Sequence, residues 1–300
     1  MLRTTGRPVG PLHGLPISLK DRFHLEGLDS SCGYVSWIGD PKTKDDEGVL
    51  VQKLRHAGAV VFVKTNVPMS MLIGETTNNI IGSTMNPYNR TLQVGGGTGG
   101  EGALLALRGS PFGWGADIAG SVRIPAGFNN LWGLRPSSGR VSATGLADSL
   151  PGLPTANSVV GPMCADLPSL QQLMQWYINC NAWQDDHKVL DLPWRDSVYN
   201  DTLAKICHFG QCDGRLVFAV MATDEEVYPH PPVQRAMRIV TEAILHQGYE
   251  VIKWQPPSHR IGTDLLVSRI APKTDHVSSL HCVAEKAYSS RSWAPRLANR

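Results

Sequence analysis

The sequence predicts an α/β chain, and three stretches predict it. Asp45 to Ala59 spaces Val49, Val51, Leu54 and Ala57 along one helical face and runs into Val60-Val-Phe-Val-Lys64, an apolar, β-branched run of strand length. Pro231 to Gln247 repeats the arrangement, a helix opened by proline and stopped by Gly248, followed by the strand candidate Tyr249 to Trp254. Nearer the N-terminus, Leu15, Ile17 and Leu19 alternate with Pro16, Ser18 and Lys20, the period of a strand.

In chain order, the first strand candidate buries its apolar face and puts Ser18 and Lys20 together on the other. Gly27 to Asp40 reads as a polar loop, and Gly58 stops the helix that begins at Asp45. Val60–Lys64 suits a central strand buried on both faces. Met69 to Leu72 suits either a pocket wall or ordinary core. Val94 to Pro125 is dense in glycine: Gly95, Gly96, Gly97, Gly99 and Gly100 open it, Ala103 to Leu107 is a short helix candidate, and Asp117-Ile-Ala-Gly-Ser121 closes a second tight segment. Leu131 to Met163 reads as loop and short strand, with Pro136, Gly139, Gly145, Pro151, Gly152 and Pro154 as punctuation. Leu167 to Tyr177 is helical, Asn179 to Asp201 is polar and irregular, and Leu216 to Met221 is a strand candidate. Periodicity fades after about Leu266, which gives one domain over residues 1–266 and a divergent tail over 267–300.

Composition narrows the function classes. The 300 residues are 42% hydrophobic with a net charge of +2, enough for a large core and too balanced for a nucleic-acid surface. No apolar run reaches membrane-spanning length and no signal-like segment opens the chain, so a cytoplasmic protein is expected. Six scattered cysteines read as reduced thiols. Cys207, His208 and Cys212 come nearest to metal-ligand spacing but lack a second pair, so no metal is expected. Gly95, Gly97 and Gly100 satisfy GxGxxG, with Asp117 downstream, yet the preceding Asn86-Pro87 stretch is a turn and not the strand that a dinucleotide site needs.

Two stretches carry chemistry. Glycine at the density of Val94–Pro125 is costly in backbone entropy and suits sharp turns or close approach to a ligand. There Ser121 follows Gly120, and the amides of Ile118, Ala119, Gly120 and Ser121 lie in sequence to converge on one point: a nucleophile and an oxyanion hole. In the other stretch, Lys20 sits among apolar residues, where desolvation lowers its pKa and frees the amine as a general base. Read singly, Ser121 also fits a turn-solvating serine and Lys20 an ordinary surface lysine.

Together with VVFVKTNVPMSM, Asn86-Pro87, GGEGALLALRGSP, LWGLRPSSGRVS and VVGPM, these stretches resemble the amidase signature family; YPHPPVQRAM and HQGYEVIKW resemble its acetamidase-like branch, common in fungi. The resemblance runs from about Gly10 to Leu170 and again toward Leu266, and implies a mixed β-sheet covered by helices, incomplete at both ends. It implies serine-dependent hydrolysis of a carbon–nitrogen bond in a small linear amide, through an acyl-enzyme and without a cofactor. By position, Lys20 is the general base and Ser121 the nucleophile of a Ser-Ser-Lys triad, with Ile118 to Ser121 as oxyanion hole. Asp117 and Arg123 fall on supporting positions, and Thr98 on a hydroxyl position beside the triad. The family's GGSSGG run reads GGGTGG here, which puts Gly97 where the bridging cis-serine stands. Glycine has no hydroxyl to pass a proton from Ser121 to Lys20; Thr98 or a trapped water are the available substitutes. The alternatives are a catalytically impaired relative with a binding role and a non-functional fragment; substrate identity and oligomeric state stay open.

Overall fold

The computed structural model describes residues 6–149, 157–207 and 217–270, divided into two compact units, Met1–Trp194 and Arg195–Arg300. The expectations for Pro151, Gly152, Pro154, His208, Cys212, Leu216 and residues 271–300 of the tail lie outside the described residues.

The first unit holds β1 (Pro16–Lys20), α1 (Val49–His56), β2 (Val60–Thr65), α2 (Gly99–Ala106), β3 (Phe112–Asp117), α3 (Arg123–Phe128), β4 (Trp132–Gly133), β5 (Val159–Cys164) and α4 (Leu167–Ile178). Five strands form one mixed sheet in the order β2-β1-β3-β5-β4, with β1 parallel to both β2 and β3 and with β5 antiparallel to β3 and β4. This is the mixed α/β architecture that the sequence implies.

One face of the sheet rests on the main core. Ile17 and Leu19 of β1 and Trp114 and Ala116 of β3 meet Leu50, Val51 and Leu54 of α1 and Leu173, Met174 and Tyr177 of α4. Trp114 and Tyr177 pack with ring centroids 5.8 Å apart. The alternate residues of β1, Ser18 and Lys20, are buried as well, because α2 covers their face. β1 is therefore a strand buried on both sides, not the half-buried one that its alternation suggests.

β2 differs in the opposite sense. It stands at the edge of the sheet, with Val60 49% and Phe62 47% exposed, so the expected central strand is an edge strand among the described residues. The helix expected from Asp45 begins at Val49, after a separate 3₁₀ turn at Lys44–Asp46. Gly48 makes the break: a Cβ there would lie 1.8 Å from the Thr144 carbonyl oxygen, and the Thr144 hydroxyl accepts from the Val49 amide at 3.1 Å. Gly58, at φ +84°, ends the segment as expected.

The second unit holds α5 (Asp196–Cys207), β6 (Val217–Val220), α6 (Pro231–His246), β7 (Glu250–Lys253) and α7 (His259–Ile270), with β6 and β7 parallel. The polar stretch expected to be irregular up to Asp201 thus contains the start of α5. Among the described residues no helix is long and apolar enough to cross a membrane.

Candidate active site

The C-terminal end of β1, the turn before α2 and the loop after β3 meet at one point. An ideal Cβ built on Gly97 would lie 2.8 Å from Ser121 Oγ and 3.0 Å from Lys20 Nζ. The position that lacks a side chain therefore lies between the expected nucleophile and the expected base, and the fold brings all three together.

Lys20 is 1% exposed, donates to the Ala116 carbonyl at 3.3 Å and makes no ion pair among the described residues. Burial, and then the neighbouring Arg22 guanidinium, pull its pKa down to about 7, against Cys32, Asp117 and Glu101. Removing water disfavours the charged ammonium, so the neutral amine of a base is accessible near pH 7.

Ser121 is held by the loop after β3. Asp117, fully buried at the end of that strand, accepts from the amides of Gly120 (2.7 Å), Val122 (3.1 Å) and Arg123 (3.3 Å) and from the Arg123 side chain (3.0 and 3.1 Å). Burial pushes this carboxyl up, but the bonds from Arg123, Val122 and Gly120 outweigh it and hold Asp117 below the usual carboxylate range. Gly120 takes φ +128°, a conformation that side-chain-bearing residues rarely adopt. Its amide is committed to Asp117. That removes Gly120 N–H from the four expected oxyanion donors and leaves the amides of Ile118, Ala119 and Ser121 without a partner among the described residues.

Thr98 is elsewhere than a substitute hydroxyl needs to be. Its Oγ1 is fully buried against Gly115 of β3, 2.8 Å from where a Cβ on that glycine would sit, and has no hydrogen-bond partner among the described residues. It bonds to neither Lys20 nor Ser121.

Met71 and Leu72 of the Met69–Leu72 segment, which suited either a pocket wall or core, do line the site, whereas Arg22, Ser158 and Glu101 carried no signal in the sequence. Lys20 and Ser121 open on a cleft of about 80 Å³ whose wall includes Arg22, Met71, Ile118 and Ser158. Arg22 is anchored to the Ala147 carbonyl (3.0 Å) and Ser158 Oγ (2.7 Å). Met71, in the cleft wall, and the preceding Ser70 both have positive φ, +61° and +62°, a pair of strained residues. Glu101 of α2 is completely buried, with Ser18 Oγ 2.5 Å from Oε2 and Thr65 Oγ1 2.8 Å from Oε1. Ser18 Oγ also lies 3.1 Å from the Phe112 carbonyl, and one hydroxyl proton cannot serve both oxygens. A protonated Glu101 that donates to Ser18 satisfies the set, in keeping with a pKa that burial pushes up to about 8.

Comparison with known proteins places these parts in context. A protein-family model described as Amidase matches residues 2–298. The chain is 44% identical to an acetamidase of Aspergillus oryzae over 262 residues, 87% of this chain and 47% of that protein, and 44% identical to an acetamidase of Emericella nidulans over 260 residues, 87% and 46% respectively. Among solved structures, a fatty acid amide hydrolase superposes with a TM-score of 0.81 at 32% identity, covering 92% of this chain and 46% of that one. A 6-aminohexanoate cyclic dimer hydrolase superposes with a TM-score of 0.67 at 26% identity, covering 82% and 50%. The chain spans about half the length of the curated relatives it matches.

Proposed function

The chain belongs to the amidase family, and from that premise we propose that its site hydrolyses the carbon–nitrogen bond of a small linear amide through an acyl-enzyme on Ser121. The observation that carries this reading is the convergence of Ser121 Oγ and Lys20 Nζ, each within 3.0 Å of one point beside Gly97, next to unengaged backbone amides. Neutral Lys20 accepts the Ser121 proton. Ser121 Oγ attacks the amide carbonyl, and the amides of Ile118, Ala119 and Ser121 are the donors for the oxyanion. The proton returns to the leaving nitrogen, ammonia or an amine departs, and water releases the acid. At Gly97 a water molecule replaces the missing hydroxyl as proton bridge. No cofactor enters these steps.

A second reading has its own support: a glycine at the bridging position favours an amidase-like chain that binds such compounds and turns them over slowly. A cytosolic setting and the absence of nucleic-acid and membrane partners are part of the proposal on composition alone.

Labelling with a fluorophosphonate, followed by intact-mass analysis of wild type and Ser121→Ala, separates the two readings. An adduct on wild type that disappears in Ser121→Ala means an activated nucleophile and supports hydrolysis. An unlabelled, cooperatively folded wild type leaves the binding role as the better account.

A further inference from the structure

Lys20 and Ser121 share their cleft with a buried cation. Arg22, just beyond β1 and 6% exposed, borders the cleft with both of them. It is fixed at two ends. The Arg22 carbonyl accepts from the Ala147 amide at 2.8 Å, and Arg22 Nε donates to the Ala147 carbonyl at 3.0 Å. At the far end of the side chain, Nη1 donates to Ser158 Oγ at 2.7 Å. Ser158 directly precedes β5, whose first residue, Val159, pairs in antiparallel register with Asp117, the last residue of β3. That register sets Ser158, and the guanidinium bound to it, beside the start of the loop that carries Ile118 to Ser121. A guanidinium has five N–H donors, and Arg22 engages two of them in these bonds. Among the described residues no carboxylate comes within hydrogen-bond distance of it: Asp148 Oδ1 lies 4.0 Å from Nη2, on a side chain that is 50% exposed. Asp117 and Glu101 are engaged elsewhere, with Arg123 and with Ser18 and Thr65. A buried charge calls for a partner of matching geometry, and a planar fork with unused donors matches a carboxylate.

We propose that Arg22 determines specificity, selecting the half-amide of a short dicarboxylic acid whose free carboxylate takes the unused guanidinium donors while its amide carbonyl faces Ser121. The proposal rests on the amide-hydrolysis reading of Ser121. With ammonia as the leaving group, the anion belongs to the acyl part. Hydrolysis then consumes one water, breaks the C–N bond and yields a dicarboxylate and ammonia. A neutral amide of the same length leaves the remaining N–H groups to water, so the charged substrate gains charge-assisted hydrogen bonds that the neutral one lacks. Arg22, Asp148 and Ser158 also border a second cavity, whose wall includes Lys188. Lys188 is not part of the cleft wall that Ser121 shares, which makes it the control for an anion bound on the wrong side of Arg22.

The test compares succinamate with succinamide, which share a skeleton and differ by one charge. Calorimetric titration of Ser121→Ala, which cannot be acylated, reads binding without turnover. This variant is expected to bind succinamate about tenfold or more tighter than succinamide. In the same background, Arg22→Gln is expected to abolish the preference and Lys188→Gln to leave it unchanged. Arg22→Lys keeps the charge but loses the fork, and is expected to narrow the preference about threefold or more; it keeps the measurement readable where Arg22→Gln does not fold. The proposal is overturned if Ser121→Ala binds the two compounds equally or binds neither, if a cooperatively folded Arg22 variant keeps the full preference, or if Lys188→Gln removes it. Ammonia release by wild type is read separately. If wild type hydrolyses neither compound while Ser121→Ala keeps an Arg22-dependent preference, the hydrolysis reading fails and carboxylate recognition by Arg22 stands.

Discussion

Replacing Gly97 by serine tests the site most directly, because the same position can be given a Cβ with or without a hydroxyl. Gly97 is not among the positive-φ glycines, so its backbone accepts a side chain. The new Cβ meets Ser121 Oγ at 2.8 Å and both Lys20 Nζ and Ser121 Cβ at 3.0 Å; the first two are ends of rotatable side chains, and the third yields only with a small shift of the Ser121 loop. Shifting them by a few tenths of an ångström costs about 1 kcal/mol. Losing one member of a serine-hydrolase triad costs on the order of ten-thousandfold in turnover, or about 5 kcal/mol. Restoring the hydroxyl against that crowding is therefore expected to raise kcat roughly a thousandfold. Gly97→Ala imposes the same crowding without a proton relay and is expected to show no gain. Release of p-nitroaniline from p-nitroacetanilide by the three purified proteins gives the comparison. If Gly97→Ser is no faster than Gly97→Ala while both unfold cooperatively, the bridging role assigned to this position is wrong.

Other perturbations probe the supporting groups. The rate of Ser121 labelling should rise with pH through about 7, as Lys20 loses its proton, and then level off; a profile flat across that range would remove Lys20 as the base. Thr98→Val should leave labelling unchanged and shift stability by less than about 1 kcal/mol in urea unfolding, since its buried hydroxyl has no partner among the described residues to lose. Asp117→Asn should destabilise the chain by about 2 kcal/mol and slow labelling at least tenfold, because the charge-assisted bonds to Gly120 and Arg123 that set the Ser121 loop weaken together. Glu101 keeps its proton in the folded chain up to about 8, against 4.5 when unfolded, so the stability it contributes is complete below about 4.5 and is lost as pH rises through about 8. Glu101→Gln retains the neutral hydrogen bonds and removes that loss; its Tm relative to wild type should climb between about pH 5 and 8, and a constant difference would mean that Glu101 is already ionised.

The grouping of the candidate site residues was more legible than the sheet that carries it. Ser121, Lys20 and Gly97 were singled out from local pattern and family resemblance, and the structure brings them to one point. β3, the strand that connects them, was not visible. Its core-facing residues, Phe112, Trp114 and Ala116, alternate as a strand should, but the other face reads Gly113, Gly115 and Asp117, and glycine is depleted in strands. The reason becomes plain only in three dimensions. A Cβ on Gly113 would lie 2.0 Å from Glu101 Oε2, and one on Gly115 2.5 Å from Thr98 Cγ2, so both positions leave room for α2 to lie on the sheet. Val60–Lys64 misled for the converse reason: an apolar β-branched run marks a strand but does not reveal how many of its faces are covered.

The commitment of the Gly120 amide to Asp117 was equally out of reach, since counting amides along a loop says nothing about which ones turn inward. The same limit hid Glu101. Its position in GGEGALL suggests a surface residue in the first turn of a helix, where an acid is favoured by the helix dipole. Instead α2 faces the sheet with that turn, and the acid is enclosed by Ser18 and Thr65.

These buried groups form one layer between the sheet and α2, and its protonation follows from its burial. Ser18, Lys20, Thr65, Thr98, Glu101 and Asp117 are each no more than 7% exposed. A fully charged layer would combine an unpaired ammonium with two carboxylates out of water, an arrangement that costs several kcal/mol per ion. The observed contacts avoid it. Asp117 keeps its charge because Arg123 reaches it with two side-chain hydrogen bonds and the loop amides with three more. Glu101 is left to two hydroxyls and holds its proton, while Lys20 is left to one carbonyl and releases its own near pH 7. The low dielectric that makes the layer compatible with folding thus also favours the neutral amine: moving Lys20 into water would stabilise its ammonium and remove the lone pair on which the proposed acyl transfer depends.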